Sequence, residues 1–321
     1  TCAAIGKMGI PEMRKRGYAD GLAAGCIAAG GTLGILIPPS VTMIVYGIAT
    51  GTSIGRLFLA GLMPGLLLTG LFVAWSFYST WRSGSSNVVA RSYTIKEKIE
   101  LLPRVLPFLL VVAAILYVLY GGIATPSEAA GVGAMLCLVF TIVLYRVRAK
   151  SLWTILRSSM SESAMVMMII AASALFGYML SALFVTQTIA ESIANLEVNR
   201  WVLLGMINVF LLVAGFFLPP VAVIIMTAPL LLPVITSAGF DPVWFAVIMT
   251  INLEIGLITP PVGLNLYVIN GIAPDISIGT ILRGTLPFVV MMVIGIVLLC
   301  LFPQIVTWLP DLLMNQQACL L

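Results

Sequence analysis

The sequence predicts an all-α polytopic membrane protein whose two ends repeat one another in inverted orientation, each with a broken helix and a re-entrant hairpin element. Three observations carry this: a membrane composition throughout, a string of apolar runs separated by alternately basic and neutral connectors, and a repeat marked by paired prolines. Of 321 residues, 61% are hydrophobic and 9% charged, against about 25% charged in an ordinary soluble domain. Mean hydropathy is +1.14, and no stretch has the mixed composition of an independent soluble domain. The chain starts at Thr1 inside an apolar segment without a signal-peptide n-region, so an incomplete N-terminus is expected.

Residues 1–81 form the first repeat element. A basic arm with Lys7, Arg14, Lys15 and Arg16 leads into an apolar stretch at 19–50 that is interrupted by GILIPPS, and a run at 57–81 follows. Residues 82–200 are connecting and scaffold helices, with apolar runs at 103–120, 128–145 and 163–185, each long enough to approach or cross roughly 30 Å of hydrocarbon. The connector with Arg82, Arg91, Lys96, Lys98 and Arg104 is basic, GGIATPSE has no Lys or Arg, and the next one carries Arg146, Arg148, Lys150 and Arg157. Positive-inside counting therefore puts 82–104 and 146–160 in the cytoplasm and 121–128 outside. Thr125, Pro126 and Glu128 spell a capping box at a helix start. Residues 201–321 form the second repeat: a hairpin over 201–238 turning at FFLPPVA, a broken helix over 243–273, and a final helix over 285–309. Trp75, Trp81, Trp153, Trp201, Trp244 and Trp308 lie near run ends, as an aromatic belt places them, and Arg56 and Arg283 read as interface anchors.

The repeat is visible in register. Pro11 and Pro233, Gly17 and Gly239, Gly34 and Gly256, and Pro38 and Pro260 are each 222 positions apart, and GIATGTSIG at 47–55 returns as GIAPDISIG at 271–279. A match over more than 50 residues with glycines and prolines aligned indicates duplication. Following the topology, 19–50 runs inside to outside and 243–273 outside to inside. In this register the tip of a first hairpin falls upstream of Thr1, leaving one complete hairpin and half of another.

Inverted repeats with paired broken helices mark secondary transporters whose site lies near the bilayer midplane. Proline lacks an N–H and pushes its predecessor out of the helical region. About a turn therefore unwinds at each doublet, freeing carbonyls and half-helix ends that can hold a cation and face an anion. Sodium is a hard cation that prefers oxygens, and its candidate ligands are Gly34, Ile37 and Pro39 in the first break, Gly256, Thr259 and Pro261 in the second, and Leu218 at the hairpin tip. Ser40, Thr42, Asn252 and Asn265 are candidates to hydrogen-bond a substrate between the breaks; interhelical glue is the competing reading. Glu254 is a candidate for proton or cation coupling, since intramembrane carboxylates are functional by default; a structural carboxyl facing a hydrated cavity is the alternative.

The five cysteines, Cys2, Cys26, Cys137, Cys300 and Cys319, have no paired spacing and read as small apolar residues. With no histidine in the chain, zinc chemistry and histidine-based catalysis are not expected, no organic cofactor is implied, and the chain is not read as an enzyme. Nucleic acid is not an expected partner.

The stretches IPEMRKRGY, GILIPPS, SIGRLFLAGLMPG, ATPSEAA and NLEIGLITPPVGLN, with the terminal LPF run, resemble the large membrane subunit of tripartite ATP-independent periplasmic (TRAP) transporters, the DctM type. The resemblance covers essentially the whole chain. It implies a sodium-driven, elevator-type importer in a bacterial inner membrane, working with a small four-helix membrane subunit (DctQ type). A periplasmic binding protein (DctP type) would deliver organic anions such as dicarboxylates or sialic acids. Members of that family often carry an Asp at the second hairpin tip, where this chain has Leu218, Pro219 and Pro220, so a side-chain carboxylate is absent there. A stand-alone dicarboxylate or citrate symporter, coupled to sodium or protons, is the nearest alternative; a channel or membrane enzyme is further away.

Overall fold

The computed structural model describes residues 2–82, 95–121, 123–184, 188 and 199–318; Thr1, Arg91 and Cys319 lie outside these. Among the described residues seven segments are long and apolar enough to cross a membrane. The first repeat holds α1 (Cys2–Lys15), α2 (Asp20–Leu36), α3 (Val41–Thr50) and α4 (Ile54–Arg82). Then come α5 (Ile95–Tyr120), α6 (Pro126–Val143) and α7 (Ala149–Ala182), and after them α8 (Arg200–Phe217), α9 (Pro220–Ser237), α10 (Pro242–Leu257), α11 (Leu264–Ile272), α12 (Ile278–Leu301) and α13 (Gln304–Ala318). The starts are where local chemistry puts them. Thr125 and Glu128 form the reciprocal capping box at α6, Asp241 accepts from the N–H groups of Val243 and Trp244, and Ser277 accepts from Thr280, each filling donors a helix start leaves open.

Three expectations change. The helix expected from residue 163 begins at Ala149 and absorbs Lys150 and Arg157, because Lys and Arg are good helix formers and a basic stretch does not end a helix. The final run is two helices: Pro303 has no N–H to continue α12, and Phe302 leaves helical geometry at φ −126°, ψ 71°. Trp244 is not in an interfacial belt. It is 2% exposed, and its indole N–H donates to the Leu299 carbonyl at 2.9 Å, the partner a buried indole needs.

The chain divides into two compact units, one from Thr1–Val89 with Ser173–Leu321 and one from Ala90–Ala172. In the smaller unit α5 packs on α6, with Ile115 seated against Gly133. In the larger unit the first and last parts of the sequence share one core, and α10 is its axis: every residue from Val243 to Leu257 is buried. Helices α2, α3, α4, α8, α9, α11, α12 and α13 all pack against it.

Several contacts bind the repeats together. Helices α2 and α12 cross backbone to backbone: a Cβ on Gly284 would collide with the Gly21 carbonyl, and one on Gly25 with the Gly284 carbonyl. Phe72 meets Phe288 edge-on at 5.3 Å beside that crossing. At one end Arg14 forks onto Asp20 at 2.7 and 3.1 Å and reaches Asp275 at 2.5 Å. At the opposite end Arg56 pairs with Asp311 at 2.6 Å, so Arg56 is an interhelix tie rather than a free interface anchor.

Two outcomes are expected from these contacts. Gly284→Ala should cost the ~1–3 kcal/mol of stability that overpacking typically costs, read as a lower thermal midpoint of the detergent-purified protein. Gly279→Ala, on the same helix with nothing within 4 Å, should leave it unchanged or slightly raised. The hydrogen bond from Arg14 holds the Asp275 carboxyl below its usual 3.8, so the folded state favours the ionised form. That contribution is complete above about pH 3.8 and is lost as pH falls through the lower folded value. Asp275→Asn should therefore destabilise at neutral pH and converge on the parent protein in strong acid, as read from thermal midpoints along a pH series.

Candidate functional site

At the first break Pro39 offers no N–H to the Ile35 carbonyl four residues earlier. Two hydroxyls replace it: Ser40 donates to that carbonyl, and so does Thr42 at 3.2 Å, with the hydroxyls 2.9 Å apart. Ser40 also accepts from the Met43 N–H, capping α3. The Ile37 N–H closes α2 on Leu33 at 2.9 Å, and the Ile37 side chain packs on Gly65 of α4. Pro38 equally deprives the Gly34 carbonyl of its helical partner. Gly34 and Pro39 are exposed, while Ser40 and Thr42 are buried. The Pro38–Pro39 and Pro260–Pro261 peptides are both cis.

The second break is built the same way with fewer hydroxyls. Pro260 and Pro261 strip the helical donors from the Gly256 and Leu257 carbonyls. The Thr259 N–H reaches Gly256 at 3.4 Å and its hydroxyl donates to Ile255 at 2.6 Å. Gly263, at φ 56°, ψ 65°, turns the chain into α11, which starts without a side-chain cap; that left-handed geometry favours glycine. Each break thus sets a helix C-terminus, with its partial negative charge, beside an N-terminus with its partial positive charge.

The hairpin tip lies at the second break. Helix α8 ends at Phe217, the Leu218 N–H donates to Ala214 at 3.0 Å, and α9 begins at Pro220. Gly215, three residues before Leu218, lies against Gly256, where a Cβ would stand 2.6 Å from the Gly215 carbonyl. The tip is therefore next to the second break. Helix α9 packs along α3, and the Tyr46 hydroxyl near the end of α3 donates to Pro242 at 2.9 Å, just beyond the end of α9.

The polar candidates divide. Ser40 and Thr42 are committed to the Ile35 carbonyl. Asn252, 3% exposed, spends its amide N–H groups on the backbone carbonyl of Asn208 at 2.9 Å and its side-chain oxygen at 2.7 Å. These three hold the scaffold of the breaks. Asn265, in the uncapped first turn of α11, is partly buried and has no hydrogen-bond partner among the described residues. Asn208 was not singled out from sequence, although it is the sole amide side chain in the apolar arm Arg200–Phe217, a placement that marks interhelical hydrogen bonding. Glu254 is fully buried, and neither carboxylate oxygen has a hydrogen-bond partner. Among the described residues no three His, Cys, Asp or Glu side chains gather as a metal site, so an ion at the breaks would depend on carbonyls and hydroxyls.

Paired broken helices, the second lying against a hairpin tip, inside an all-helical membrane protein define an inverted-repeat transporter. The chain belongs to the family described as the tripartite ATP-independent periplasmic transporter, DctM component, which matches residues 1–305. It is 37% identical to a C4-dicarboxylate TRAP transporter large permease protein DctM of Pseudomonas aeruginosa, over 97% of this chain and 72% of that one. It is 34% identical to a sialic acid TRAP transporter large permease protein SiaM of Vibrio cholerae, over 97% and 72%. It is also 35% identical to an isethionate TRAP transporter permease protein DctMQ of Oleidesulfovibrio alaskensis, over 95% of this chain and 48% of that one. The protein is a large permease subunit, a transporter and not an enzyme.

The Asn208–Asn252 pair gives a measurable coupling. In a double-mutant cycle of Asn208→Ala and Asn252→Ala, the single losses in unfolding free energy should fail to add by ~0.6 kcal/mol and at most about 1.7. Strict additivity would mean that the pair carries no hold on the hairpin.

Proposed function

We propose that this large permease subunit imports small organic anions across the bacterial inner membrane, driven by sodium, together with a small membrane subunit and a periplasmic binding protein that delivers the substrate. The observation that carries this reading is the contact of the hairpin tip with the second helix break, together with a matching break in the first repeat. Backbone carbonyls at the breaks and the tip, at Gly34, Ile37, Pro39, Leu218, Gly256, Thr259 and Pro261, would offer oxygens to sodium without a buried carboxylate, the Gly256 oxygen while also accepting from the Thr259 N–H. The helix C-termini at Leu36 and Leu257 favour a cation, and the uncapped start of α11 favours an anion. Asn265 is the side chain proposed to touch substrate. Ser40, Thr42 and Asn252 act behind it by fixing the breaks.

The relatives' names span C4-dicarboxylate, sialic acid and isethionate. These are all small organic anions, and the proposed substrate is of that class. The larger unit is proposed to move as an elevator, since the hairpin tip, both breaks and α10 belong to one packed body.

Sodium that binds only the folded state raises stability by about 2.7 kcal/mol at a hundredfold excess over Kd. The intact transporter, with its small subunit, should therefore melt at a higher temperature in sodium chloride than in potassium chloride of equal ionic strength, and Thr259→Ala should shrink the difference. Equal midpoints would remove the sodium mechanism. Uptake into proteoliposomes should also require the binding protein; receptor-free uptake at the same rate would favour a stand-alone symporter.

A further inference from the structure

Arg283 is a cation within the 24-residue apolar span of α12, and no part of the transport reading uses it. The other arginines at its end of the larger unit are engaged. Arg14 is held by Asp20 and Asp275, Arg16 by Glu12, and Arg82 donates to the Tyr78 hydroxyl. Arg283 is exposed and has no hydrogen-bond or ion-pair partner among the described residues. A guanidinium in a membrane-spanning helix is costly unless it reaches the headgroup layer or an anion meets it.

The side chain lines a cavity of about 340 Å³, within the ~300–1,000 Å³ usual for small-ligand sites. The backbone crossing of Gly21 and Gly284 lies at this cavity, Trp75 and Ser79 reach it from the last turns of α4, and Thr280 from the first turn of α12. A guanidinium and two hydroxyls are donors suited to a phosphate, and an indole suits the boundary between headgroups and hydrocarbon. No acidic side chain lines the cavity among the described residues.

Beyond Arg283, α12 carries an apolar track. Leu286, Val290, Val293 and Val297 follow at intervals of three and four residues, and each is between 47% and 58% exposed. That spacing keeps them on one helix face. From Arg283 to Val297 the face runs about 21 Å at 1.5 Å per residue, longer than one leaflet of a ~30 Å hydrocarbon core. A free anion would use the cavity alone. A cation at the head of an apolar face matches a molecule that joins a phosphate to an acyl chain in the same order.

We propose that Arg283 binds the phosphate of an anionic phospholipid between the start of α12 and the end of α4, with an acyl chain lying along Leu286, Val290, Val293 and Val297. Basic pockets between membrane helices hold anionic headgroups in this way. The site stands apart from the helix breaks and does not need the sodium reading to be correct.

Native mass spectrometry of the detergent-purified transporter with its small subunit, titrated with dioleoyl phosphatidylglycerol, tests this. The wild-type protein should bind the lipid, and Arg283→Ala should weaken binding about fivefold, which corresponds to ~1 kcal/mol. Arg283→Lys, which keeps the charge, should lose less, and Leu286→Gln should weaken binding through the chain. Arg157→Ala, at an exposed arginine of the smaller unit, should change nothing. If Arg283→Ala does not fold, the Lys and Gln variants carry the test. Equal binding by the wild-type protein and the Arg283 variants overturns the proposal. Displacement of the lipid by inorganic phosphate also overturns it, since the site would then serve a free anion. Equally tight binding of dihexanoyl phosphatidylglycerol overturns it too, because the apolar track would then hold no chain.

Discussion

In hydrocarbon every backbone N–H and C=O must find a partner inside the protein, and irregular backbone survives only where protein surrounds it or a cavity receives it. Two proline doublets violate helical pairing in the middle of apolar segments, and much of the larger unit answers that violation. The Ile35 carbonyl is taken by two hydroxyls, and Ile255 by a third. Gly61 and Gly65 of α4 come close enough to pack on Leu36 and Ile37. What is left over, a few carbonyls and an uncapped helix start, is the chemistry available for transport.

The internal repeat was legible because proline and glycine are read at the level of single residues, and their spacing needs no tertiary information. Both helix breaks, the hairpin turn at Leu218–Pro219 and the capping box at Thr125 lie where local rules put them. The end of α12 at Phe302 was equally available from Pro303, but an apolar run that continues past the proline masked it. The early start of α7 was hidden by a charge pattern read as a loop. Trp244 was misplaced because an aromatic residue near the end of a run is ambiguous until its neighbours are known.

The candidate site was only half legible. Residue types at the breaks follow from the chain, but which hydroxyl serves substrate and which serves the scaffold is decided by geometry. Ser40 and Asn252 look alike in sequence terms, polar groups in apolar company, and both turn out to be spoken for by carbonyls nearby. Asn208 and Gly215 escape notice alone and acquire meaning only opposite Asn252 and Gly256. Both breaks, the hairpin and these contacts lie in the unit that joins the two ends of the sequence.

The glycine contact between α8 and α10 has one more consequence. With Gly215 and Gly256 touching backbone to backbone, the seam beside the second break has no side-chain gap, and a water molecule needs a polar cavity of at least about 10–15 Å³ to lodge. A membrane that stores energy as an ion gradient loses it through any wet seam. At this point the fold supplies insulation as well as architecture, and a methyl group there would be felt first as a leak.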